Sequence, residues 1–315
     1  MMLQVALGIV VGSLYVWQRP FDMEANAATI DKHNLLDHQT SPRIVLIGGS
    51  GFSFGIKSPL LERETGYHPV NMGLNMGYGL DFMLHEVEDS LRAGDVVIVS
   101  PEYDMFGDFY YGQGPFIYSM LEHRPANLKY LSFGNVRELS DKGFLIVGGI
   151  FRYTVTRQGK EDKRVLAIEY FPYRRRAYNE YGDMTAHYPQ PRRPYDIDMF
   201  AGPTTRHLTL ENIDRAIDGM NRFAERCRRK EVRVFFSFAA ISDHHYRLHA
   251  EVINLVAARL RQRLKFQIIN TPDDAALPLD LFYDTYYHLT GDGAERNTLQ
   301  LIDKLRKQGV GVKQE

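Results

Sequence analysis

The chain has 315 residues, of which 44% are hydrophobic and 24% are charged. This composition is ordinary for a globular protein with a substantial core, and the length fits one α/β domain with a large insertion as well as two domains. The formal net charge of −1 argues against a general nucleic-acid-binding protein, which needs a basic surface. Cys227 is the single cysteine, so an intramolecular disulfide is excluded.

The first 17 residues are mostly apolar and carry no charged side chain. Their number is at the short end of the ~17–25 residues that a membrane-spanning helix needs. We therefore expect residues 1–18 to be a membrane anchor or a signal segment, and Ala25, Asn26 and Ala27 resemble a signal-peptidase site. A buried helix is the third interpretation. Residues 19–42 are expected to form a polar linker that ends at Pro42.

Residues 44–47 are four consecutive branched apolar residues, and glycines follow at positions 48, 49 and 51. Such a run predicts a strand buried on both faces, as in a parallel sheet. The glycines allow a sharp turn and the close approach of a ligand. In open α/β sheets ligands bind beyond the carboxyl ends of the strands. Ser50 lies in this turn, so its hydroxyl is a candidate nucleophile if a base can reach it.

The same turn has three other interpretations. Ser50 could simply cap the helix that follows. A phosphate-binding loop needs a Lys after its glycines, and the chain has none there. The dinucleotide-binding motif needs a third glycine at position 54, where the chain has Phe54, and an acidic residue after the second strand, where it has Met72 and Gly73. A Rossmann-type domain is therefore the alternative fold.

Helical and strand patterns alternate along the chain. Helices are predicted at residues 59–65, 80–91, 210–230 and 291–307, and strands at residues 95–100, 232–238 and 266–269, with another strand candidate at residues 70–73. Ser58 as the cap and Gly66 after the last residue mark the ends of the first of these helices. The alternation predicts a parallel sheet covered by helices on both faces.

The alternating pattern breaks between residues 101 and 205, where aromatic residues, arginine, glycine and proline dominate. An insertion at the carboxyl edge of the third strand would lie over Ser50, so we expect it to form a cap. Tyr173 can stack on a sugar ring, and Arg174 and Arg175 can pair with carboxylates or phosphates, which makes the three residues candidates for substrate binding. A cap whose aromatic residues only pack on the core is an equally simple interpretation.

His245 and His249 are one helical turn apart, which is a spacing that zinc sites use. Tyr246, however, stands where a zinc peptidase would have its Glu. Histidine pairs at this spacing are usually ordinary surface residues. We therefore predict neither a metal site nor a cofactor site.

Asp284 and His288 immediately precede the last predicted helix. A serine after the first strand, combined with an Asp and a His before the last helix, resembles the SGNH (GDSL-like) hydrolase family. The resemblance spans residues 43–307 and is closest to the membrane-associated branch, which is linked with acyl transfer or removal on cell-surface polysaccharides. It implies that Ser50 is the nucleophile and that Asp284 and His288 complete a catalytic triad.

The last block departs from the family pattern in its spacing. The family usually has Asp-x-x-His, whereas Asp284 and His288 are four residues apart. On a helical turn this spacing would still put both side chains on one face. Asp280 is an alternative partner for the imidazole, and a Ser–His dyad without a carboxylate is a further possibility.

Two other blocks concern the oxyanion. Residues 70–79 resemble the second block of the family, which implies that the backbone of Met76 or Gly77 donates to the oxyanion. The third block normally contains an Asn, but residues 99–103 hold Glu102 and no Asn. Asn75 is then the candidate for the missing side-chain donor.

These observations predict a three-layer α/β/α, flavodoxin-like domain at residues 43–308, with residues 101–205 as its cap. The resemblance implies serine-dependent acyl transfer or ester hydrolysis on O-acetyl groups of a polysaccharide, at the periplasmic face of a membrane. A membrane acyl-donor protein is the expected partner besides the glycan, and no nucleic acid is expected. The alternatives are a Rossmann-type NAD-dependent nucleotide-sugar oxidoreductase and a non-catalytic glycan-binding or assembly subunit with the same fold.

Overall fold

The computed structural model describes residues 25–143, 172–193 and 208–311. Its strands are β1 (Arg43–Ile47), β2 (His68–Asn71), β3 (Val96–Val99), β4 (Arg233–Phe236), β5 (Ile241–Ser242), β6 (Gln267–Ile268) and β7 (Ala276–Leu277). Five of them form one parallel sheet in the order β2-β1-β3-β4-β6. This is the flavodoxin-like order, in which the first strand lies between the second and the third. The predicted fold class is confirmed.

Helices follow most of these strands along the chain. They are α1 (Thr29–His38), α2 (Ser50–Gly55), α3 (Ser58–Thr65), α4 (Leu80–Glu88), α5 (Gly114–His123), α6 (Phe133–Asp141), α7 (Leu210–Arg229), α8 (Asp243–Leu248), α9 (Ala250–Arg263), α10 (Pro272–Ala275) and α11 (Gly291–Lys307). The alternation of strand and helix gives each strand a crossover to its parallel neighbour.

The core lies on both faces of the sheet because successive side chains of a strand point to opposite sides. Val45 of β1 belongs to one buried cluster, together with apolar residues of α4, α7 and α9. Ile44 and Leu46 belong to a second cluster, with residues of α2, α3 and α11. Both clusters are covered by helices, so β1 is buried along its whole length. The two layers of helices leave the carboxyl ends of the strands as the open edge of the sheet.

The ends of several helices agree with the sequence signals. Gly66 follows α3 with φ of 73°, a conformation that favours glycine, and its N–H bonds to the carbonyl of Glu62. The last helix, α11, begins at Gly291 and ends at Lys307 as predicted. At the start of α3 the prediction was one residue late, because Lys57 is the cap and Ser58 is already helical. Helix α4 ends at Glu88, three residues before the predicted end.

Residues 172–193 contact the carboxyl edge of the sheet through backbone and side-chain hydrogen bonds. The amide of Asn71, at the end of β2, donates to the carbonyl of Tyr181, and the amide of Met184 donates to the carbonyl of Ser53. The buried carboxylate of Asp183 accepts from the amide and hydroxyl of Ser58 at 2.8 and 2.7 Å. This part of the predicted cap is therefore attached to the end of β2 and to the start of α3.

The predicted membrane segment, residues 1–18, lies outside the described residues. Among the helices that the structure describes, none combines the length and the apolar character needed to cross a membrane.

A fully buried ion pair supports the amino-terminal end of β1. Arg43 donates through Nε to both oxygens of Asp95 at 3.2 Å, and through its terminal nitrogens to the carbonyls of Leu36 and Ser90 at 2.5 and 2.6 Å. Both side chains are wholly inaccessible to solvent. A charge buried in this way is costly unless it is paired and hydrogen-bonded, so neither partner can be removed without leaving the other uncompensated.

We expect Asp95→Ala to lower the free energy of unfolding by about 3–5 kcal/mol, because Arg43 would then be buried without its carboxylate. Urea denaturation measures this. The double variant Arg43→Met/Asp95→Leu should lose less than the single variant, since no charge remains buried. Arg228→Ala, which removes an exposed pair with Glu225, should leave the urea midpoint unchanged. A wild-type midpoint for Asp95→Ala would contradict the proposed importance of the pair.

Candidate active site

Ser50 lies in the turn between β1 and α2, which we call the serine turn (residues 48–51). The helix begins at Ser50, and the cap position belongs to Gly49, so the serine side chain does not cap the helix. Ser50 is half-buried. Among the described residues its hydroxyl has no hydrogen-bond partner. The interpretation of Ser50 as a simple helix cap is therefore wrong, and its hydroxyl is left available for chemistry.

The amides on both sides of Ser50 bind one carboxylate. Gly49 N–H donates to Oε2 of Glu102 at 2.9 Å, and Gly51 N–H donates to Oε1 at 2.7 Å. Glu102 follows β3 and is 1% exposed. Burial raises the pKa of this carboxyl, although the amides of Gly51 and Gly49 and the charge of His288 act in the opposite direction. Glu102 occupies the block in which the family pattern has an Asn, and no local sequence signal indicated that it would bind the serine turn.

Asp284 and His288 face each other across a tight loop between β7 and α11. The loop is closed by the amide of Tyr283, which donates to the carbonyl of His288 at 2.7 Å. Inside it, the hydroxyl of Thr285 accepts from the amide of His288 at 3.1 Å. The two side chains do not lie on a helical turn, which is the case that their four-residue spacing allowed. A closed loop with a local Thr side-chain bond brings them together instead.

The carboxylate and the imidazole form a direct hydrogen bond. Asp284 Oδ1 is 2.8 Å from His288 Nδ1, and the two side chains are 4% and 9% exposed. Burial acts to raise the pKa of Asp284, but the hydrogen bonds and charges around it, above all those of His288, hold the pKa below its ordinary value. The bond places the imidazole proton on Nδ1 and leaves Nε2 as an acceptor. Asp280, the alternative partner, is exposed and makes no bond to the imidazole in the described chain.

Tyr173 is a third member of this pair. Its hydroxyl donates a short hydrogen bond to Oδ2 of Asp284 and lies 3.0 Å from Nδ1 of His288. Burial, followed by the charge of Asp284, raises the pKa of Tyr173 well above its ordinary value, so the hydroxyl keeps its proton. Tyr173 was predicted to bind substrate. Its position indicates that it orients the carboxylate and the imidazole.

Phe54 connects the histidine to the helix that begins at Ser50. Its ring stacks on the imidazole of His288, with centroids 4.0 Å apart and planes 5° apart. Ser50 and Phe54 are four residues apart in α2, so they lie on the same face of that helix. The histidine therefore lies against the face of α2 that carries Ser50. No hydrogen bond joins Ser50 Oγ to His288 among the described residues.

The predicted backbone donor at Gly77 is already engaged. Its N–H donates to Oδ1 of Asn75 at 2.8 Å, where Asn75 caps the short helix formed by Met76–Tyr78. A Cβ at Gly77 would lie 2.4 Å from the ring of Phe116, which explains the glycine. With Oδ1 fixed in this way, the side-chain amide nitrogen of Asn75 is the end that can donate. Asn75 and Met76 are both half-buried.

Ser53, one helical turn beyond Ser50, has a structural role. It is fully buried, and its hydroxyl donates to the carbonyl of Gly73. Its neighbour Asn71 donates to the carbonyl of Phe52 at 2.9 Å and accepts from the amide of Gly73 at 3.0 Å. These bonds join α2 to the end of β2.

The predicted arginine cluster lies beside the site and has partners within the chain. Arg175 makes two hydrogen bonds of 2.6 Å to the carboxylate of Asp31 in α1. Next to it, Lys32 is buried and donates to the carbonyls of Asn71 and Gly182 at 2.7 and 2.5 Å. Burial lowers the pKa of this Lys to about 7. Arg174 is half-buried and also has a partner. The contacts of Arg175 and Lys32 attach residues 172–193 to α1.

The rings of His245 and His249, the two histidines that suggested zinc, stack with their centroids 6.2 Å apart. His245 Nδ1 is 2.8 Å from the hydroxyl of Ser242, and its ring stacks on Tyr286 at 4.6 Å. His249 follows the end of α8 rather than lying within one helix with His245. Within the described ranges no group of three or more His, Cys, Asp or Glu side chains could hold a metal ion.

No family model and no curated protein matches this chain. The resemblance to the SGNH family accordingly depends on three blocks of sequence, around Ser50, Gly77 and His288. The structure brings the first and last of these blocks together through the stack of Phe54 on His288.

We expect Tyr173→Phe to raise the pKa of Asp284, because the carboxylate loses one of its two hydrogen-bond donors. A carboxyl whose folded pKa lies below its unfolded value of about 3.9 stabilises the fold above that pH, and this contribution is lost as the pH falls through the folded pKa. Tyr173→Phe should therefore destabilise the protein at neutral pH, with a smaller difference in acid. Carboxyl ¹³C NMR titration and urea denaturation measure the two effects.

Tyr181→Phe is the matched control, because the Tyr181 hydroxyl donates to a different carboxylate, that of Glu62, at 2.5 Å. It should leave the titration of Asp284 unchanged. An unchanged Asp284 titration in Tyr173→Phe would show that the tyrosine bond does not act on the carboxylate.

Proposed function

We propose that the chain is a serine-dependent acyltransferase or esterase in which Ser50 is the nucleophile. The observation that supports this most strongly is the buried Asp284–His288 hydrogen bond of 2.8 Å, held against the helix that begins at Ser50 by the Phe54–His288 stack. A nucleophile, a base and a group that orients the base are the three parts that acyl transfer by a serine needs.

In this mechanism Nε2 of His288 takes the proton of the Ser50 hydroxyl as Oγ attacks the acyl carbon. The imidazolium that forms keeps its Nδ1 proton on Asp284, whose carboxylate stabilises the positive charge. Collapse of the tetrahedral intermediate returns the Nε2 proton to the departing alcohol and leaves an ester on Ser50. Water or a sugar hydroxyl then attacks the ester, with His288 again accepting and returning the proton.

The developing oxyanion needs hydrogen-bond donors near Ser50. The amides of Gly49, Gly51 and Gly77 have acceptors within the chain. The Ser50 amide is the first of its helix, where no helical acceptor exists, and the Asn75 side chain has its amide nitrogen available. We assign the oxyanion to these two donors, with Met76 as the remaining backbone candidate in the second block.

The proposed substrate is an O-acetyl group on a polysaccharide outside the cytoplasm, as the family resemblance implies. A membrane-delivered acyl donor and a location at the periplasmic face belong to the same proposal. Of the residues predicted to bind the glycan, Arg174 lies in the described part of the cap, is half-buried and has a partner within the chain, and it stays a candidate for contacts with the glycan. Arg175 is a weaker candidate, because Asp31 already occupies its guanidinium.

The two alternatives differ in how they fit these observations. A Rossmann-type oxidoreductase has the first strand between the second and the fourth, whereas β1 here lies between β2 and β3. The amides that would bind a pyrophosphate are held by Glu102. A non-catalytic glycan-binding or assembly subunit is the second candidate, and the absence of an Asn in the third block, residues 99–103, is the observation that favours it.

We expect Ser50→Ala to abolish the hydrolysis of an activated ester, with a loss of about 10⁴-fold or more. Release of nitrophenol from nitrophenyl acetate provides the measurement. Ser53→Ala is the control: because its hydroxyl is buried and bound to a carbonyl, this variant should lose stability but keep the activity of its folded fraction. Activity that survives Ser50→Ala would contradict the assignment of the nucleophile.

We expect Asp284→Asn to reduce kcat by roughly 10³–10⁴-fold, because an amide favours the wrong tautomer of His288. Asp280 lies four residues earlier and is exposed. The variant Asp280→Asn should therefore have the wild-type kcat. Steady-state kinetics of the two variants decide between the carboxylates. A larger loss in Asp280→Asn would mean that Asp284 does not orient the base.

Transfer and hydrolysis differ in the group that attacks the acyl-enzyme. If the enzyme is a transferase, an acceptor oligosaccharide should divert acetyl groups from water to sugar, and mass spectrometry would detect the sugar with one added acetyl. Unchanged release of free acetate, together with removal of acetyl groups from a pre-acetylated glycan, would identify a deacetylase.

A further inference from the structure

The carboxylate of Glu102 lies beneath the serine turn, and the proposed chemistry so far makes no use of it. Its two oxygens accept from the amides of Gly49 and Gly51, so the carboxylate spans the peptide units on both sides of Ser50. A Cβ at Gly49 would lie 2.6 Å from either oxygen of Glu102. The glycine at position 49 is therefore required by the presence of the carboxylate.

This carboxylate is buried without a cationic partner. Glu102 is 1% exposed, and within the described ranges no Lys or Arg pairs with it. A buried negative charge is costly, but the serine turn presents two donor amides and therefore needs two acceptor oxygens. A carboxylate provides both, whereas the amide of a Gln side chain has only one acceptor oxygen.

The groups that face Glu102 come from three parts of the chain. The serine turn contributes two amides and no titratable group. The loop before α11 contributes His288, whose charge acts to lower the pKa of Glu102. The same loop contributes the buried hydroxyls of Tyr286 and Tyr287, and the charge of Glu102 helps to raise the pKa values of both tyrosines. The segment of Glu102 itself contributes Asp104, which acts on the same two tyrosines.

We propose that Glu102 is a positioning residue of the Ser50 site: its carboxylate fixes the serine turn through hydrogen bonds from two amides. This inference depends on the proposed function, since it assigns a role in the same reaction. Because Glu102 accepts from the amides of Gly49 and Gly51, the backbone on both sides of Ser50 is held in one conformation. The amide of Ser50 itself does not bind Glu102 and stays available to the oxyanion. Protonation of Glu102 would convert one acceptor into a donor and remove the negative charge.

Glu102→Gln imitates the protonated state at nearly the same volume. One amide of the serine turn then faces an NH₂ group instead of an acceptor oxygen. We expect kcat for an activated ester to fall at least about tenfold, which is about 1.4 kcal/mol of transition-state stabilisation, while KM changes little. Wild-type activity should fall as Glu102 takes up a proton in acid, and this contribution to the pH profile should be missing in the variant.

Glu86→Gln is the matched control. Glu86 is also buried, at 4% exposed, and accepts from His33 at 3.2 Å, but it lies in α4 and does not contact the serine turn. This variant should keep the wild-type kcat and pH profile even if it is less stable. Equal losses of kcat in both variants would mean that Glu102 acts only through general stability, and the proposal would be overturned.

Hydrogen exchange tests the same proposal without an activity assay. The peptide that contains residues 48–52 should exchange faster in Glu102→Gln than in wild type at the same pH, and unchanged exchange would overturn the proposal. If wild type neither turns over esters nor reacts covalently at Ser50, the proposed function fails. The exchange comparison then decides separately whether Glu102 holds the turn.

Discussion

The two hydrogen bonds from the serine turn to Glu102 connect the ends of β1 and β3, and the geometry of the candidate site depends on them. Parallel strands bring their carboxyl ends to one edge of the sheet, but that alone places only the backbone. The carboxylate fixes the peptide units around Ser50. Helix α2 then starts at a defined angle, and the face that carries Ser50 also carries Phe54, on which His288 stacks. One buried side chain thus fixes the turn that carries Ser50, and the Phe54 stack places His288 beside the same face of α2.

The loop before α11 supplies the other half of the site through local bonds. Tyr283 and His288 close it, and Thr285 holds the backbone of His288 from inside. The four-residue spacing of Asp284 and His288, which departs from the family pattern, fits this loop because their side chains meet across it at 2.8 Å. Tyr173 reaches the pair from the cap. Movement of residues 172–193 would therefore alter the orientation of the imidazole.

Local patterns in the sequence predicted much of the fold and part of the site. The run of branched residues in β1, the glycine after α3 and both ends of α11 are local features, and a short window contains all the information that they need. The bonds between distant residues were missed: Glu102 and Gly49 are 53 positions apart, Arg43 and Asp95 are 52 apart, and Tyr173 and Asp284 are 111 apart. Such contacts depend on the packing of the whole sheet. The Asn75–Gly77 bond was also not predicted, although it is local and an Asn two residues before a turn amide is a recognisable signal.

The central claim is that Ser50 is a reactive nucleophile activated by His288. The most direct measurement is peptide mass spectrometry after treatment with a fluorophosphonate, which reacts with an activated serine and needs no knowledge of the natural substrate. The account predicts one adduct, on Ser50, that forms in wild type and is absent when His288 is replaced by Ala. An unmodified Ser50 in folded wild-type protein, or an adduct that forms equally fast without His288, would contradict it.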